Sequence, residues 1–260
     1  MQKLSFRELT RNRDLKIGTF IGEFATPAIG QIIKNAGCHF AMVDMEHTGF
    51  GYETVKSTLR YLHDAGLASL VRPPSKDYHH LARALDVGAQ GVMPPMLGTA
   101  EEARRIVNDI KYAPDGVRGV ALSMAHDDYA SGPVMKKLAE ANEKTSLVAL
   151  IETAEGIENC DQIAAVNGVD CLWIGHFDLS CSLGIPGRFD HPDFVKAVDR
   201  VIAAAKAHNK ALGRLVPSVE EGAALHAAGF DMIIYSGDIW LLQTALTAAV
   251  EELRAKCKVN

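Results

Sequence analysis

Gly37-Cys-His-Phe40-Ala-Met-Val-Asp44-Met-Glu-His47 carries three signals in succession. An amphipathic stretch ends at a glycine suited to a left-handed helix stop, an apolar run follows, and charge appears as soon as that run ends. The same order recurs at Gly66 (Ala68-Ser-Leu-Val-Arg72), Gly88 (Gly91-Val-Met-Pro94), Gly168 (Asp170-Cys-Leu-Trp-Ile174) and Gly229 (Asp231-Met-Ile-Ile-Tyr235). Ile17–Gly22, Leu147–Ile151 and Ala211–Val216 complete a set of eight expected strands. Helices are expected over Pro27–Asn35, Tyr52–Ala65, Tyr78–Val87, Ala100–Ile110, Glu155–Ala165, Asp193–His208, Val219–Ala227 and Asp238–Lys256.

Strands that are apolar throughout, each followed by a helix, indicate a parallel sheet covered on its outer face. Eight such units at about 32 residues each account for the 260 residues and match the roughly 250 of a (β/α)8 barrel. The expected fold is therefore a single α/β domain over residues 1–260, a (β/α)8 TIM barrel with an extra C-terminal helix. No Gly-x-Gly-x-x-Gly follows the first strand to support a doubly wound open sheet. One segment, residues 112–144, departs from the repeat: Pro114-Asp-Gly-Val-Arg-Gly119 reads as a turn and Pro133–Asn142 as an additional helix.

Composition bounds the function. Hydrophobic residues make up 48% and charged residues 23%, enough apolar content for a full core without disorder. The net charge of −5 lacks the basic excess that nucleic acid or an anionic membrane surface asks for. Five scattered cysteines, none in a Cys-x-x-Cys pair, argue against a disulfide framework or zinc-thiolate site. The first eight residues do not read as a secretory leader, and no apolar run reaches the ~18 residues of a membrane span. A cytoplasmic protein acting on a small molecule is the expectation.

In a barrel of this kind the reactive groups lie at the C-terminal ends of the strands. Those positions hold Asp44-Met-Glu46-His47, Arg72, Glu152 and Gly175-His-Phe-Asp178. Singly each has a plain structural reading, as a helix cap, an ion-pair partner or a rim histidine. Together they are more specific. Glu152 and Asp178, on adjacent strands, present hard oxygen ligands suited to Mg²⁺ or Mn²⁺ rather than zinc. Arg72 offers a planar fork for a carboxylate or phosphate, and without a Gly-rich phosphate cradle after the last two strands a carboxylate is the expected guest. His47 supplies a base that titrates near neutrality. The set suits enolisation of a small 2-oxo acid. His79-His80 reads as a solvated helix face, His126-Asp127-Asp128 as a loop turn, and Cys181 as a packing residue. The apolar run Ile239–Val250 fits either closure of the barrel or docking on a partner subunit.

Asp44-Met-Glu-His47, Val71-Arg-Pro73, Leu85-Asp-Val-Gly-Ala-Gln-Gly-Val92, Lys111-Tyr-Ala-Pro-Asp-Gly-Val-Arg-Gly119, Ile151-Glu152 and Gly175-His-Phe-Asp-Leu-Ser180, in this order, resemble the HpcH/HpaI aldolase family over nearly the whole chain. The resemblance implies a metal-dependent, class II pyruvate aldolase using Mg²⁺, Mn²⁺ or Co²⁺ and assembled as a homo-oligomer, a hexamer built as a trimer of dimers with a helix exchanged between subunits. It implies Glu152 and Asp178 as metal ligands, Arg72 at the pyruvate carbonyl and enolate oxygen, and His47 as base. It further implies Asp86 as the partner of that histidine and the Phe177 N–H as a contact for the substrate carboxylate. Four departures are visible: Leu150 where the family usually has Gln, His176 where Pro is common, Phe20 for a Trp, and Ala121–His126 for an Arg-Ala motif. Two other outcomes fit the same residues: an oxaloacetate decarboxylase or other pyruvate-enolate condensing enzyme, and a non-catalytic oxo-acid-binding barrel.

Overall fold

A computed structural model describes residues 5–257. The chain runs α1 (Phe6–Leu9), β1 (Lys16–Ile21), α2 (Ile29–Asn35), β2 (Phe40–Asp44), α3 (Tyr52–Asp64), β3 (Ala68–Arg72), α4 (Tyr78–Asp86) and β4 (Gly91–Val92). It continues α5 (Ala100–Ile110), α6 (Val134–Lys144), β5 (Ser146–Ile151), α7 (Ala154–Ala164), β6 (Val169–Ile174), α8 (His176–Ser182), α9 (Pro192–Ala207), β7 (Ala211–Val216), α10 (Val219–Ala227), β8 (Met232–Gly237) and α11 (Asp238–Cys257). The eight strands close in sequence order into a barrel, every pair parallel. The reading of the N-terminus as no leader rests partly on residues 1–4, outside the described residues. Among the described residues no helix is long and apolar enough to cross a membrane.

Alternation along each strand splits the core into two layers. Phe40, Met42, Leu70, Val148, Leu150, Cys171, Trp173, Met232 and Ile234 fill the barrel interior. Val43, Val71, Ala149, Ile151, Leu172, Ile174 and Ile233 face outward against the helices. Trp173 occupies so much of the interior that a Cβ on Gly213 of the neighbouring strand would stand 2.1 Å from its ring. The lower end is stoppered by α1, whose Phe6 meets Phe40 edge-to-face at 5.5 Å. The five glycines that announce strands all have positive φ; Gly37, at +91°, ends α2 in the backbone region that glycine enters without penalty.

The structure differs from the sequence expectation in a few places. β4 stops at Val92 instead of Pro94, because Pro94 and Pro95 have no N–H to continue the ladder. α1 is too short to show a period and depends on a capping box between Ser5 and Glu8. The additional helix of the insertion runs Val134–Lys144. Its end is tied back by Asn142, whose side chain accepts from the Tyr112 N–H at 2.7 Å and donates to the Tyr112 carbonyl at 2.8 Å. α11 buries no residue against its own barrel; Trp240, Leu242, Leu246 and Leu253 are exposed. Closure of the barrel by this helix is thus not what the chain does alone.

Gly213→Ala should place a methyl group inside the Trp173 ring contact and cost about 1–3 kcal/mol through overpacking. Urea denaturation at fixed protein concentration is expected to show a lowered midpoint, and an unchanged midpoint would contradict this account of the barrel interior.

Candidate active site

The Cα register pairs Asp44 at the end of β2 with Arg72 at the end of β3. Both side chains point into the barrel mouth, and Arg72 donates from Nε to Asp44 Oδ1 at 2.6 Å. Glu46 Oε2 lies 3.2 Å from the same nitrogen. Asp44 is fully buried and accepts the backbone N–H groups of Glu46 and His47, each at 3.1 Å, so one carboxylate shapes both the arginine and the turn after β2. Burial works against the Arg72 charge, but the Asp44 hydrogen bond and the carboxylates of Asp44, Glu46 and Glu152 outweigh it and push its pKa up. The guanidinium is a permanent cation.

Glu152 follows β5 and is 2% exposed. Its Oε1 accepts the Met96 N–H at 2.7 Å, and Oε2 occupies the space where a Cβ on Gly175 would stand, 2.3 Å away. Only glycine fits there. Burial, then the negative charges of Asp178 and Glu46, push the Glu152 carboxyl up to about 7 against the Met96 hydrogen bond and the Arg72 charge. Glu46 is raised by burial as well, with Asp44 and Asp178 adding to it and Arg72 and His47 opposing. Asp178 is exposed in the first turn of α8.

A buried carboxyl whose proton affinity is raised by burial and by acidic neighbours marks a place where a cation would relieve the cost of its charge. Glu152 and Asp178 therefore fit a divalent ion with hard oxygen preferences, with its remaining positions taken by substrate or water. Among the described residues no group of three or more His, Cys, Asp or Glu stands in metal-ligand geometry.

His47 is 61% exposed at the rim, its Nε2 3.5 Å from Glu46 Oε2. The expected partnership with Asp86 is not made within the chain. Asp86 is the last residue of α4, which leaves the mouth after β3 and descends to the opposite end of the barrel before β4. There it accepts from Arg118 at 2.5 Å, and Arg118 lies 4.4 Å over the Tyr112 ring. Phe177 is in the first turn of α8, where backbone N–H groups lack helix partners. Its ring, 62% exposed, rests on His176 and Phe189 at centroid distances of 4.6 and 5.2 Å. His176, at the position common for Pro, is buried and pushed down to about 4 by burial and by Arg214, so it stays neutral. Leu150, 2% exposed, is an inner-layer residue of β5 next to Trp173 in the register. A cavity of about 670 Å³ lies away from this mouth, between α3, the insertion and α1.

Sequence reasoning missed Asp44 and Glu46 as the acceptors of Arg72. Period-two spacing within Asp44-Met-Glu46 and the equal ends of β2 and β3 carried the signal.

A family model described as HpcH/HpaI aldolase/citrate lyase matches residues 16–242. The chain belongs to this family. It is an aldolase-type lyase, a conclusion joined by its relatives. The 5-keto-4-deoxy-D-glucarate aldolase of Shigella boydii serotype 18 is 31% identical over 237 residues, covering 88% of this chain and 91% of that protein. The enzyme of the same name from Salmonella paratyphi C is 32% identical over 234 residues, covering 87% and 90%. Among solved structures, an HpcH/HpaI aldolase from Desulfitobacterium hafniense DCB-2 superposes with a TM-score of 0.91 at 30% identity, covering 96% of this chain and 97% of that one. The citrate synthase SbnG gives 0.86 at 27% identity, covering 98% and 99%.

The raised pKa of Glu152 has a consequence for the metal-free protein. A carboxyl with a folded pKa of about 7 and an ordinary value of 4.5 is neutral in both states at low pH. As pH rises from about 4.5 to about 7, the unfolded chain ionises first and folding loses stability. With a chelator present, the melting temperature of the wild type relative to Glu152→Gln should fall across this window and level off above it. A pH-independent difference would contradict the buried, repelled state of Glu152.

Proposed function

We propose that the protein is a divalent-metal-dependent aldolase that reversibly cleaves a 4-hydroxy-2-oxo acid to pyruvate and an aldehyde through a pyruvate enolate. The observation that carries this reading is the buried Glu152 carboxylate, beside Asp178 and facing the locked Arg72 cation at one rim. Glu152 and Asp178 would hold Mg²⁺, Mn²⁺ or Co²⁺, which supplies Lewis-acid polarisation of the 2-oxo group when bound. Arg72 meets the charge that develops on the enolate oxygen, already oriented by Asp44 and needing no rearrangement. The Phe177 N–H, in the first turn of α8 where amides lack helix partners, would receive the substrate carboxylate. His47, exposed at the rim, takes the 4-hydroxyl proton, directly or through water, as the C3–C4 bond breaks. Asp86 has no part in this within one chain; its pairing with a His47 requires two copies, one presenting the end of α4 to the other's mouth.

Assembly as a homo-oligomer, a hexamer of the trimer-of-dimers type, suits α11, whose apolar residues have no cover in the single chain. A cytoplasmic setting suits five unpaired thiols. A second reading, oxaloacetate decarboxylation or condensation of the enolate with another electrophile, draws on the likeness to a citrate synthase. Side-by-side assays of pyruvate release from 4-hydroxy-2-oxo acids and from oxaloacetate separate the two.

Two outcomes are expected. Exchange of pyruvate methyl protons in D₂O should require Mg²⁺, Mn²⁺ or Co²⁺ and be lost with a chelator; exchange that ignores metal would sink the proposal. His47→Ala should retain metal binding while turnover drops by roughly 10²–10⁴. Unchanged turnover removes His47 from the mechanism.

A further inference from the structure

The corner between β8 and α11 is built with more care than a simple helix start requires. Asp238, the first residue of α11, accepts from three consecutive amides of the loop after β1. Gly22 donates to its two oxygens at 3.0 and 3.2 Å, Glu23 to Oδ2 at 2.9 Å, and Phe24 to Oδ2 at 2.7 Å. The Ile239 N–H adds a bond to Oδ1 at 2.9 Å. One carboxylate thus satisfies amides some 216 positions apart in sequence. Just before it, Ser236 is held at φ +51°, a left-handed conformation that a non-glycine residue adopts at a cost. A Cβ on Gly237 would stand 2.8 Å from the Phe20 ring and 2.9 Å from the Trp240 ring. Those rings lie 5.3 Å apart, so the inner layer of β1 is joined to α11 across the seam where the barrel closes.

The location gives the corner its meaning. Ile21, the last residue of β1, is in register with Val43, one residue before Asp44, so the loop that starts at Gly22 leaves the barrel at the same mouth as Asp44. In an eight-stranded barrel closed in sequence order, β1 stands across the mouth from β5, which carries Glu152. On the aldolase reading, a 2-oxo acid held at Glu152, Asp178 and Arg72 would have its far side, where the aldehyde is released or received, towards the loop after β1.

We propose that Asp238 is a positioning residue for the acceptor side of the reaction: it holds the Gly22–Phe24 loop as the wall opposite Glu152 and ties that wall to the seating of α11. The proposal rests on the aldolase reading and deepens it. A helix with no residue buried in its own barrel needs a fixed point of departure, and this corner makes that point part of the mouth.

The experiment compares wild type, Asp238→Ala and Asp238→Asn as assembled enzymes. Amide hydrogen exchange is read on peptides covering residues 20–28, and Michaelis constants are measured for pyruvate in methyl-proton exchange and for an aldehyde such as glyceraldehyde in condensation. Asp238→Ala is expected to lose protection at residues 22–24, to shift the pyruvate constant by less than about twofold, and to raise the aldehyde constant by about tenfold or more. Asp238→Asn keeps one carbonyl oxygen for Gly22 and Ile239 and should fall between; it serves as the test if the alanine variant does not fold. Unchanged protection at 22–24 overturns the clamp. Equal changes in both constants, or none in the aldehyde constant, overturn the acceptor-side assignment. A wild type without metal-dependent exchange overturns the aldolase reading instead, and the amide exchange still decides the clamp.

Discussion

Asp44 and Arg72 form a buried ion pair on which the rest of the mouth depends. Removing one member of such a pair strands a charge at a cost of about 3–5 kcal/mol, so the pair is not free to dissociate and reform during a reaction. Its second function is geometric. The Asp44 carboxylate accepts the Arg72 Nε and the amides of Glu46 and His47, and so sets an electrophile, an acidic neighbour and a rim histidine in one frame. Parallel closure of the barrel makes this possible, because it aims the ends of β2, β3, β5 and β6 at the same opening.

Near that fixed cation the protein gathers the carboxylates of Glu46, Glu152 and Asp178. Glu152 is buried, deprived of space by nothing larger than Gly175, and raised to about 7 by burial and by Asp178 and Glu46. The charged form of such a buried carboxyl is unfavourable for the protein alone, and a cation at the mouth would relieve it. The mouth is prepared for charge it does not itself carry, in keeping with electrostatic preorganisation.

Much of this was legible in the sequence. Helix-stop glycines followed by apolar runs marked five strands directly, and Glu152, Asp178 and Arg72 stood out as charges at strand ends. What was not legible depended on three-dimensional direction. Asp86 looked like a partner for His47 by motif, yet a helix that follows a strand must run back down the barrel, which carries its last residue to the far end and to Arg118. Asp44 and Glu46 were visible only as part of a motif, since their bond to Arg72 needs the register of β2 on β3. Leu150 and His176 are absorbed by packing, the first inside the barrel and the second among Phe177 and Phe189. For α11 the sequence leaves closure of the barrel and docking on a partner equally open; the helix is uncovered along its length and held to the barrel at its first residue by Asp238.

The central claim is that Glu152 and Asp178 hold a divalent ion facing Arg72. Anomalous diffraction from crystals grown with Mn²⁺ and pyruvate tests it most directly. The account predicts a manganese peak coordinated by both carboxylates, with the 2-oxo oxygen of pyruvate between the ion and the Arg72 guanidinium. Pyruvate bound at the mouth with no manganese peak at these carboxylates, or with the peak elsewhere, would contradict it.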